Sequence, residues 1–205
     1  VGKLGCSGLG AAGRHAPSTG ERADKPRGAQ QVGGQAGGRG IDIVRMIAEA
    51  GSGQPGGSLS CVDILTALYF GGVMDHDPEQ PKWEDRDRFV LAKGHAAPAL
   101  YAALAHAGYF PREELKTLRK LGTRLQGHPD CNLCPGVEVS TGSLGQGLSI
   151  AAGMAAGLKL AGKPQGGFCQ PSHGQCEDGQ VWEATTLARH STPDHPLRHT
   201  HPHHP

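Results

Sequence analysis

The segment Arg88-Phe-Val-Leu-Ala-Lys-Gly-His95 contains a short apolar run, bounded by charged residues on one side and by Gly94 on the other. Such a run is typical of a buried strand. The next stretch, Ala97-Pro-Ala-Leu-Tyr-Ala-Ala-Leu-Ala-His-Ala107, is rich in helix-forming residues and predicts a helix. Because a buried strand that leads directly into a helix is the repeating unit of α/β proteins, this region predicts an α/β fold.

Further helices are predicted on both sides of this strand. Apolar residues recur at helical spacing from Ile41 onward, and the stripe ends at Gly51. The other helices are predicted at residues 61–70, 111–121, 148–160 and 179–188. The alternation of strands and helices then calls for a second, parallel strand between the last two helices.

The expected second strand falls on Gln165-Gly-Gly-Phe-Cys-Gln-Pro-Ser-His173. Glycine weakens a strand interior, and proline cannot donate to the hydrogen-bond ladder of a central strand. We therefore predict that this segment has lost its strand.

The two ends of the chain differ in composition from its centre. The 205 residues suffice for one domain, at roughly 100–200 residues per domain. Twelve of the 33 glycines lie in residues 1–40, which we predict to be disordered because they lack apolar periodicity. Residues 191–205 are predicted to be a disordered tail rich in His and Pro. The first residue is not Met and no apolar leader follows it, so we expect a fragment without a signal peptide.

Charge and hydropathy exclude two classes of partner. The net charge of +1 gives no cationic field for nucleic acid. No run of 18 apolar residues is present, so we expect no membrane-spanning helix. The 6 cysteines are widely spaced, which favours reduced thiols and a cytoplasmic location.

Three loops carry residues that suit an anionic ligand. Ser52-Gly-Gln-Pro-Gly-Gly-Ser-Leu-Ser60 is a glycine-rich turn before a helix, and Lys93-Gly-His95 follows the predicted strand at its carboxyl end. Ser140-Thr-Gly-Ser-Leu-Gly-Gln-Gly147 places glycines and hydroxyls before a helix, which suits a phosphate. Each loop is also compatible with a plain connection between elements. His95, and His128 in the tight loop Gln126-Gly-His-Pro-Asp130, are also compatible with a structural role.

Cys131-Asn-Leu-Cys134 is an isolated pair of cysteines without a second pair. Zinc binding, redox chemistry and a loop with free thiols are all compatible with it, and we favour the free thiols. The terminal histidines could bind a transition metal opportunistically, but we favour a tail in which no shared geometry fixes them.

In the order and spacing of these motifs, the chain resembles the N-terminal, thiamine diphosphate-binding domain of transketolase. The likeness is strongest in Gly56-Gly-Ser-Leu-Ser60, in Asp87-Arg-Phe-Val-Leu-Ala-Lys-Gly-His-Ala96, in Gln126-Gly-His-Pro129 and in the loop 140–147. It covers residues 41–164 closely and 174–190 more loosely. The resemblance implies a three-layer α/β/α thiamine diphosphate-binding fold with a mostly parallel sheet, here a partial domain at residues 41–190 that is incomplete at its C-terminus.

The resemblance implies transfer of a two-carbon ketol unit between sugar phosphates, with thiamine diphosphate held through Mg²⁺. His128 matches a histidine near the reacting oxygens and is the candidate catalytic residue. The candidate cofactor-binding residues, by their match to the family, are His95, Gly142, Ser143, Leu144 and Gly174. The implied partners are sugar phosphates and a C-terminal transketolase subunit or a second protomer, which would supply the pyrimidine-binding domain.

Four positions depart from the family's usual residues. Gln54 stands where His is usual, and an amide cannot take up a proton at neutral pH. A gap-free count places His173 at the Asp that ligates Mg²⁺, Gln175 at the following Glu, and Asp178 at another Glu. Imidazole is a poor ligand for a hard cation, so we assign no metal ligand.

With these departures, we expect the chain to be inactive alone. One alternative is a non-catalytic remnant that binds no cofactor. Another is a related thiamine enzyme of the deoxyxylulose-phosphate synthase or dehydrogenase type, although the motifs around His128 and in the loop 140–147 favour transketolase.

Overall fold

The computed structural model describes residues 29–191 and 197–199. The α-helices in this part of the chain are α1 (Ala29–Ala50), α2 (Pro55–Leu59), α3 (Val62–Phe70), α4 (Ala97–Ala107), α5 (Gln146–Leu160) and α6 (Gly179–Ser191). The strands are β1 (Arg88–Val90), β2 (Gly167–Cys169) and β3 (Leu197–His199). Short 3₁₀ helices lie at Gly94–Ala96, Arg112–Thr117 and Gly174–Glu177.

The three strands form one parallel sheet in the order β1-β2-β3, so β2 is central. Phe89 of β1 is in register with Phe168 of β2. The prediction that residues 165–173 have lost their strand is therefore wrong. The strand is short and fully buried, and it ends before Pro171, whose missing N–H is not needed in the ladder.

The C-terminal region also differs from its prediction. Residues 197–199, within the segment that the sequence predicts to be a disordered tail, form β3, which pairs with the otherwise open edge of β2. Helix α6 continues to Ser191. The rest of the predicted tail, residues 192–196 and 200–205, lies outside the described part of the chain.

The sheet lies between two helical layers. Phe89 and Leu91 point into a cluster with residues of α1, α3 and α4, whereas Val90 and Ala92 point into a smaller cluster with α5 and α6. Successive side chains of a strand point to opposite faces, so β1 separates the two clusters. This is the α/β/α order, and the predicted fold class is confirmed.

Helix α1 begins at Ala29 and so includes residues 29–40 of the segment that the sequence predicts to be disordered. Glycines in this stretch disfavour a helix, but tertiary contacts outweigh them. The guanidinium of Arg39 lies 3.5 Å from the ring centroid of Phe70 and donates to Oγ1 of Thr66 at 3.3 Å. Residues 1–28 of the predicted disordered segment lie outside the described residues.

The remaining helices agree with their predictions to different degrees. Helix α4 spans Ala97–Ala107, as predicted. The helix predicted at 111–121 is a shorter 3₁₀ helix, Arg112–Thr117, and helix α2 forms inside the turn that was expected to be a loop. None of the described helices combines the length and apolarity needed to span a bilayer.

Candidate functional site

The candidate site lies where β1 ends and the chain turns into α4, at the carboxyl edge of the parallel sheet. Gly94 permits the loop 140–147 to pack directly on this turn. A Cβ built on Gly94 would lie 2.6 Å from the backbone oxygen of Thr141 and 2.9 Å from the nitrogen of Gly142. No side chain tolerates that distance, so glycine is required for the contact between the two predicted ligand-binding loops.

His95 is brought against the glycine-rich turn. A Cβ on Gly57 would lie 3.2 Å from Cδ2 and 3.3 Å from Nε2 of the His95 ring. Burial lowers the pKa of His95, and the positive charges of Lys93 and of His128 lower it further. The imidazole is therefore neutral at pH 7, with one nitrogen to donate and one to accept a hydrogen bond.

His128 lies on the other side of the same site and is exposed. Its ring faces the loop 140–147, because a Cβ on Gly142 would lie 3.2 Å from Cδ2 of His128. The backbone beneath the ring is held by Tyr101, whose buried hydroxyl is placed 2.9 Å from the carbonyl oxygen of Gln126 and 3.2 Å from that of His128. The position of His128 is thus fixed from the core while its side chain stays open to solvent.

The loop 140–147 leads into α5 against the end of β1. Gly145 has φ +80°, and a Cβ there would lie 3.2 Å from Oδ2 of Asp178. Ser143 and Leu144, two of the predicted cofactor-binding residues, are exposed at the tip of this loop. Oγ1 of Thr141 is buried without a hydrogen-bond partner, as is Oγ of Ser58 in α2. Two hydroxyls at the site are thus left without protein partners.

Lys93 belongs to this site, although its motif gave no reason to select it. Only 2% of its surface is exposed, and Nζ donates to Oγ of Ser60 at 2.9 Å. Its charge lowers the pKa of His95, and it offsets part of the increase that burial causes in the pKa of the Cys61 thiol. The signal available in the sequence is a lysine between an apolar strand and the glycine before His95.

The segment after β2 faces the same edge of the sheet. His173 and Gly174 are exposed, whereas Gln175 is buried. The Gln175 amide is held at both ends, since Nε2 donates to the oxygen of Ala92 at 3.0 Å and Oε1 accepts from the nitrogen of Ser172 at 2.8 Å. Gln175 therefore ties the 3₁₀ helix Gly174–Glu177 to the residues that follow β1.

Two other predicted features lie in different environments. Gln54 is exposed at the N-cap of α2, where its side chain makes no capping hydrogen bond. Cys131 and Cys134 are free thiols, with Cys131 exposed and Cys134 buried. Burial raises the pKa of Cys134 to about 12, which makes it a poor nucleophile and metal ligand.

The family model of the transketolase thiamine diphosphate-binding domain matches residues 39–173. The chain belongs to this family. It is 46% identical over 154 residues to the 6-deoxy-6-sulfo-D-fructose transketolase subunit SqwG of Clostridium sp. (strain MSTE9), which covers 75% of this chain and 56% of that subunit. It is 42% identical over 142 residues to a subunit of the apulose-4-phosphate transketolase of Phocaeicola vulgatus, covering 69% of this chain and 50% of that subunit.

The fold of this transketolase-family domain is also that of solved transketolases. A crystal structure of a transketolase variant from Pichia stipitis superposes with a TM-score of 0.72 at 34% identity, covering 79% of this chain and 25% of that one. The chain thus spans about half the length of the curated subunits it matches and about a quarter of that transketolase.

The organic part of the family's cofactor fits the site of this transketolase-family domain. Gly57, Gly94 and Gly142 are the positions where these loops and the rings of two histidines, at positions 95 and 128, pack too closely for a Cβ, and we call this junction the cradle. The buried hydroxyls of Ser58 and Thr141 at the cradle lack protein partners. These groups provide the donors that a diphosphate ester requires.

The divalent cation that the family implies does not fit the donor set. His173 offers an imidazole where a hard cation needs carboxylate oxygen, and both ends of the Gln175 amide are engaged by the backbone. Within residues 29–191 and 197–199, no group of three His, Cys, Asp or Glu residues is arranged to hold a metal ion.

Proposed function

We propose that this chain is the diphosphate-binding part of a transketolase that transfers a two-carbon ketol unit between sugar phosphates and needs a partner to do so. The observation that carries the proposal is the convergence of His95, His128 and Gly142 on one glycine-lined cradle at the carboxyl edge of the sheet. Family membership supports the cofactor class. When bound, thiamine diphosphate supplies the electron sink for cleavage of the ketose carbon–carbon bond.

The residues of the chain bind, orient and move protons. His95, neutral at pH 7, donates one hydrogen bond to the diphosphate end of the cofactor while its ring is fixed against Gly57. Gly142 and the exposed Ser143 and Leu144 would contact the thiamine when the cofactor is bound. The backbone of His128 is held by the Tyr101 hydroxyl, and its ring is exposed. The ring exchanges a proton with a sugar oxygen at the mouth of the site.

A partner subunit completes the active site in this proposal. The two bacterial relatives described above are named as subunits of transketolases, and the chain spans only about half of each. Leu144, at the exposed tip of the loop 140–147, is 53% exposed and offers an apolar side chain for a partner to cover. The partner is a C-terminal transketolase subunit or a second protomer.

The five described cysteines are all free, which supports a reducing compartment such as the cytoplasm.

Calorimetric titration of the full chain with thiamine diphosphate, and with thiamine as the control, tests cofactor binding. Saturable heat with the diphosphate but not with thiamine is the expected result, because the chain recognises the diphosphate end. The absence of heat and of any thermal shift at millimolar ligand would refute the proposal and would leave the non-catalytic remnant.

Mixing the chain with a C-terminal transketolase subunit tests the reaction itself. We expect ketol transfer in the mixture and none with either part alone. His128→Ala should lower kcat of the mixture by about 10²- to 10⁴-fold, as expected for loss of a general acid or base, with an unchanged melting temperature because the ring is exposed. His190→Ala, in the exposed last turn of α6, is the matched control and should retain full activity.

A further inference from the structure

Lys93 is a buried cation without a carboxylate partner in the described part of the chain. Only 2% of it is exposed, and no ion pair of residues 29–191 includes it. Its ammonium donates to Oγ of Ser60 at 2.9 Å and hydrogen-bonds the side chain of Cys61, whose thiol has a raised pKa, so neither partner carries a negative charge. Burial of a charge without an opposite charge is unfavourable, so such a lysine indicates that an anion is bound nearby.

The surroundings of Lys93 locate that anion. Lys93 directly precedes Gly94, which contacts Thr141 and Gly142, and its charge acts on His95 and on Cys61. The ammonium thus lies at the end of the glycine-rich turn, by Ser60, and the backbone of the next residue, Gly94, contacts the loop 140–147. The buried hydroxyls that lack protein partners, those of Ser58 and Thr141, belong to these same two segments. The cation therefore lies next to a segment that carries one of the free hydroxyls.

The segment 173–175, which matches the family's metal-binding motif, offers no carboxylate to hold a divalent cation. His173 is an imidazole, Gly174 has no side chain, and the Gln175 amide is held by Ala92 and Ser172. A diphosphate brought into this site still has to be neutralised, because moving its charge out of water is costly. Lys93 is the buried cation available for it.

We propose that the chain binds the diphosphate group without a divalent cation, and that the Lys93 ammonium supplies the positive charge in its place. The inference rests on the proposed function, since it concerns the same cofactor site. Lys93 acts by direct ion pairing with the diphosphate, with Ser60 orienting the ammonium.

Titration of the full chain with thiamine diphosphate, once in EDTA and once in excess Mg²⁺ at matched ionic strength, separates the two proposals. Equal dissociation constants, within about twofold, are expected, since no metal takes part. Binding only in Mg²⁺ would overturn this inference while the proposed function stood. The absence of binding in both buffers would overturn both.

Lys93→Met tests the role of the ammonium, because Met keeps the length and the apolar stem of the side chain. In EDTA the dissociation constant of this variant should be at least about tenfold larger than that of the wild type, as expected for loss of a charge-assisted hydrogen bond. Lys120→Met, at an exposed lysine that pairs with Glu49, is the control and should bind as the wild type does. Wild-type affinity in folded Lys93→Met would overturn the inference.

Circular dichroism establishes the fold of each variant before titration. If Lys93→Met does not fold, Lys93→Gln takes its place, because the amide keeps a hydrogen bond to Ser60 and removes only the charge. Weakened binding by folded Lys93→Gln supports the inference, and unchanged binding overturns it. The wild-type comparison in EDTA and Mg²⁺ requires no variant.

Discussion

Gly147 lies where α5 meets the residues that follow β1. A Cβ on this residue would lie 2.5 Å from Cβ and 2.6 Å from Cα of Ala92. Because Cα of Ala92 belongs to the backbone next to the central sheet, it cannot move aside without disturbing the layer. We expect Gly147→Ala to lower the free energy of unfolding by about 1–3 kcal/mol, measured by urea denaturation.

Gly153 provides the matched control in the same helix. A Cβ on this residue would have no atom within 4 Å, so the added methyl group meets only open space. Gly153→Ala should raise the free energy of unfolding by about 1 kcal/mol, from helix propensity alone. Equal effects of the two substitutions would contradict the close packing of Gly147 on Ala92.

Cys131 and Cys134 differ in reactivity although they form one sequence motif. Cys131 is exposed and accepts from Oγ of Ser140 at 3.4 Å, whereas burial raises the pKa of Cys134 to about 12. Because the thiolate is the reactive form, iodoacetamide at pH 7.5 should label Cys131 and leave Cys134 unlabelled, as read by peptide mass spectrometry. Protection of both thiols, removed by a chelator or by a reductant, would instead demonstrate zinc or a disulfide.

At the scale of elements, Gln175 connects the 3₁₀ helix Gly174–Glu177 to the end of β1. Its substitution by Ala leaves the oxygen of Ala92 and the nitrogen of Ser172 without partners in a buried place. We expect Gln175→Ala to lower the free energy of unfolding by about 1–3 kcal/mol, measured by urea denaturation.

Gln180 is the control for Gln175. Its amide pairs with that of Gln146 at an exposed position, 2.8 Å away, so Gln180→Ala should change the free energy of unfolding by no more than about 0.5 kcal/mol. A similar decrease in the free energy of unfolding in both variants would show that the buried hydrogen bonds of Gln175 do not stabilise the fold more than the exposed ones of Gln180.

The elements differ in how far the sequence determines them. Helix α4 has the bounds that its composition predicts, and the proline in its first turn and Gly108 after its end are consistent with them. The sequence does not predict strand β2, because this strand is only three residues long, Gly167–Cys169, and contains two apolar side chains. It is stabilised by pairing with β1 on one side and β3 on the other. Such pairing is a tertiary effect that local composition does not contain.

The site follows a similar division. The spacing of the motifs predicted which loops carry His95, His128 and Gly142, and the structure brings these loops together. The sequence does not identify Lys93 as a site residue, because lysine side chains are normally exposed and only the packed structure shows that this one is buried. Likewise, the contact that Gly94 makes with the loop 140–147 joins two segments about 47 residues apart in sequence, which no local pattern reports.

At the scale of the whole molecule, an ionic cluster joins three elements of one helical layer. Asp42 of α1 lies 2.8 Å from Nε2 of His106 in α4 and 2.7 Å from Arg112 of the next 3₁₀ helix. Burial lowers the pKa of His106, and the hydrogen bond that its ring donates to Asp42 opposes that decrease without cancelling it. Burial alone would raise the pKa of Asp42, but hydrogen bonds from His106 and Arg112 outweigh that effect and lower it.

The stability of the molecule should therefore fall in mild acid. His95 and His106 both have folded-state pKa values below the ordinary 6.5, so the unfolded chain takes up protons first as the pH falls. Their contribution is constant well above pH 6.5 and is lost as the pH falls through 6.5 toward the lower, folded-state values. The melting temperature should be lower at pH 5.5 than at pH 7.5 in the same ionic strength.

His106→Gln separates this effect from general acid sensitivity. The amide keeps a donor for Asp42 but binds no proton. The melting temperature of the variant should therefore fall by less than that of the wild type between pH 7.5 and pH 5.5. His190→Gln, at an exposed position on α6, should retain the wild-type pH dependence. Asp42 does not contribute in this window, because its pKa is lowered from 3.8 and its effect is lost only in stronger acid. A wild-type pH dependence in His106→Gln would assign the acid sensitivity to groups outside the Asp42 cluster.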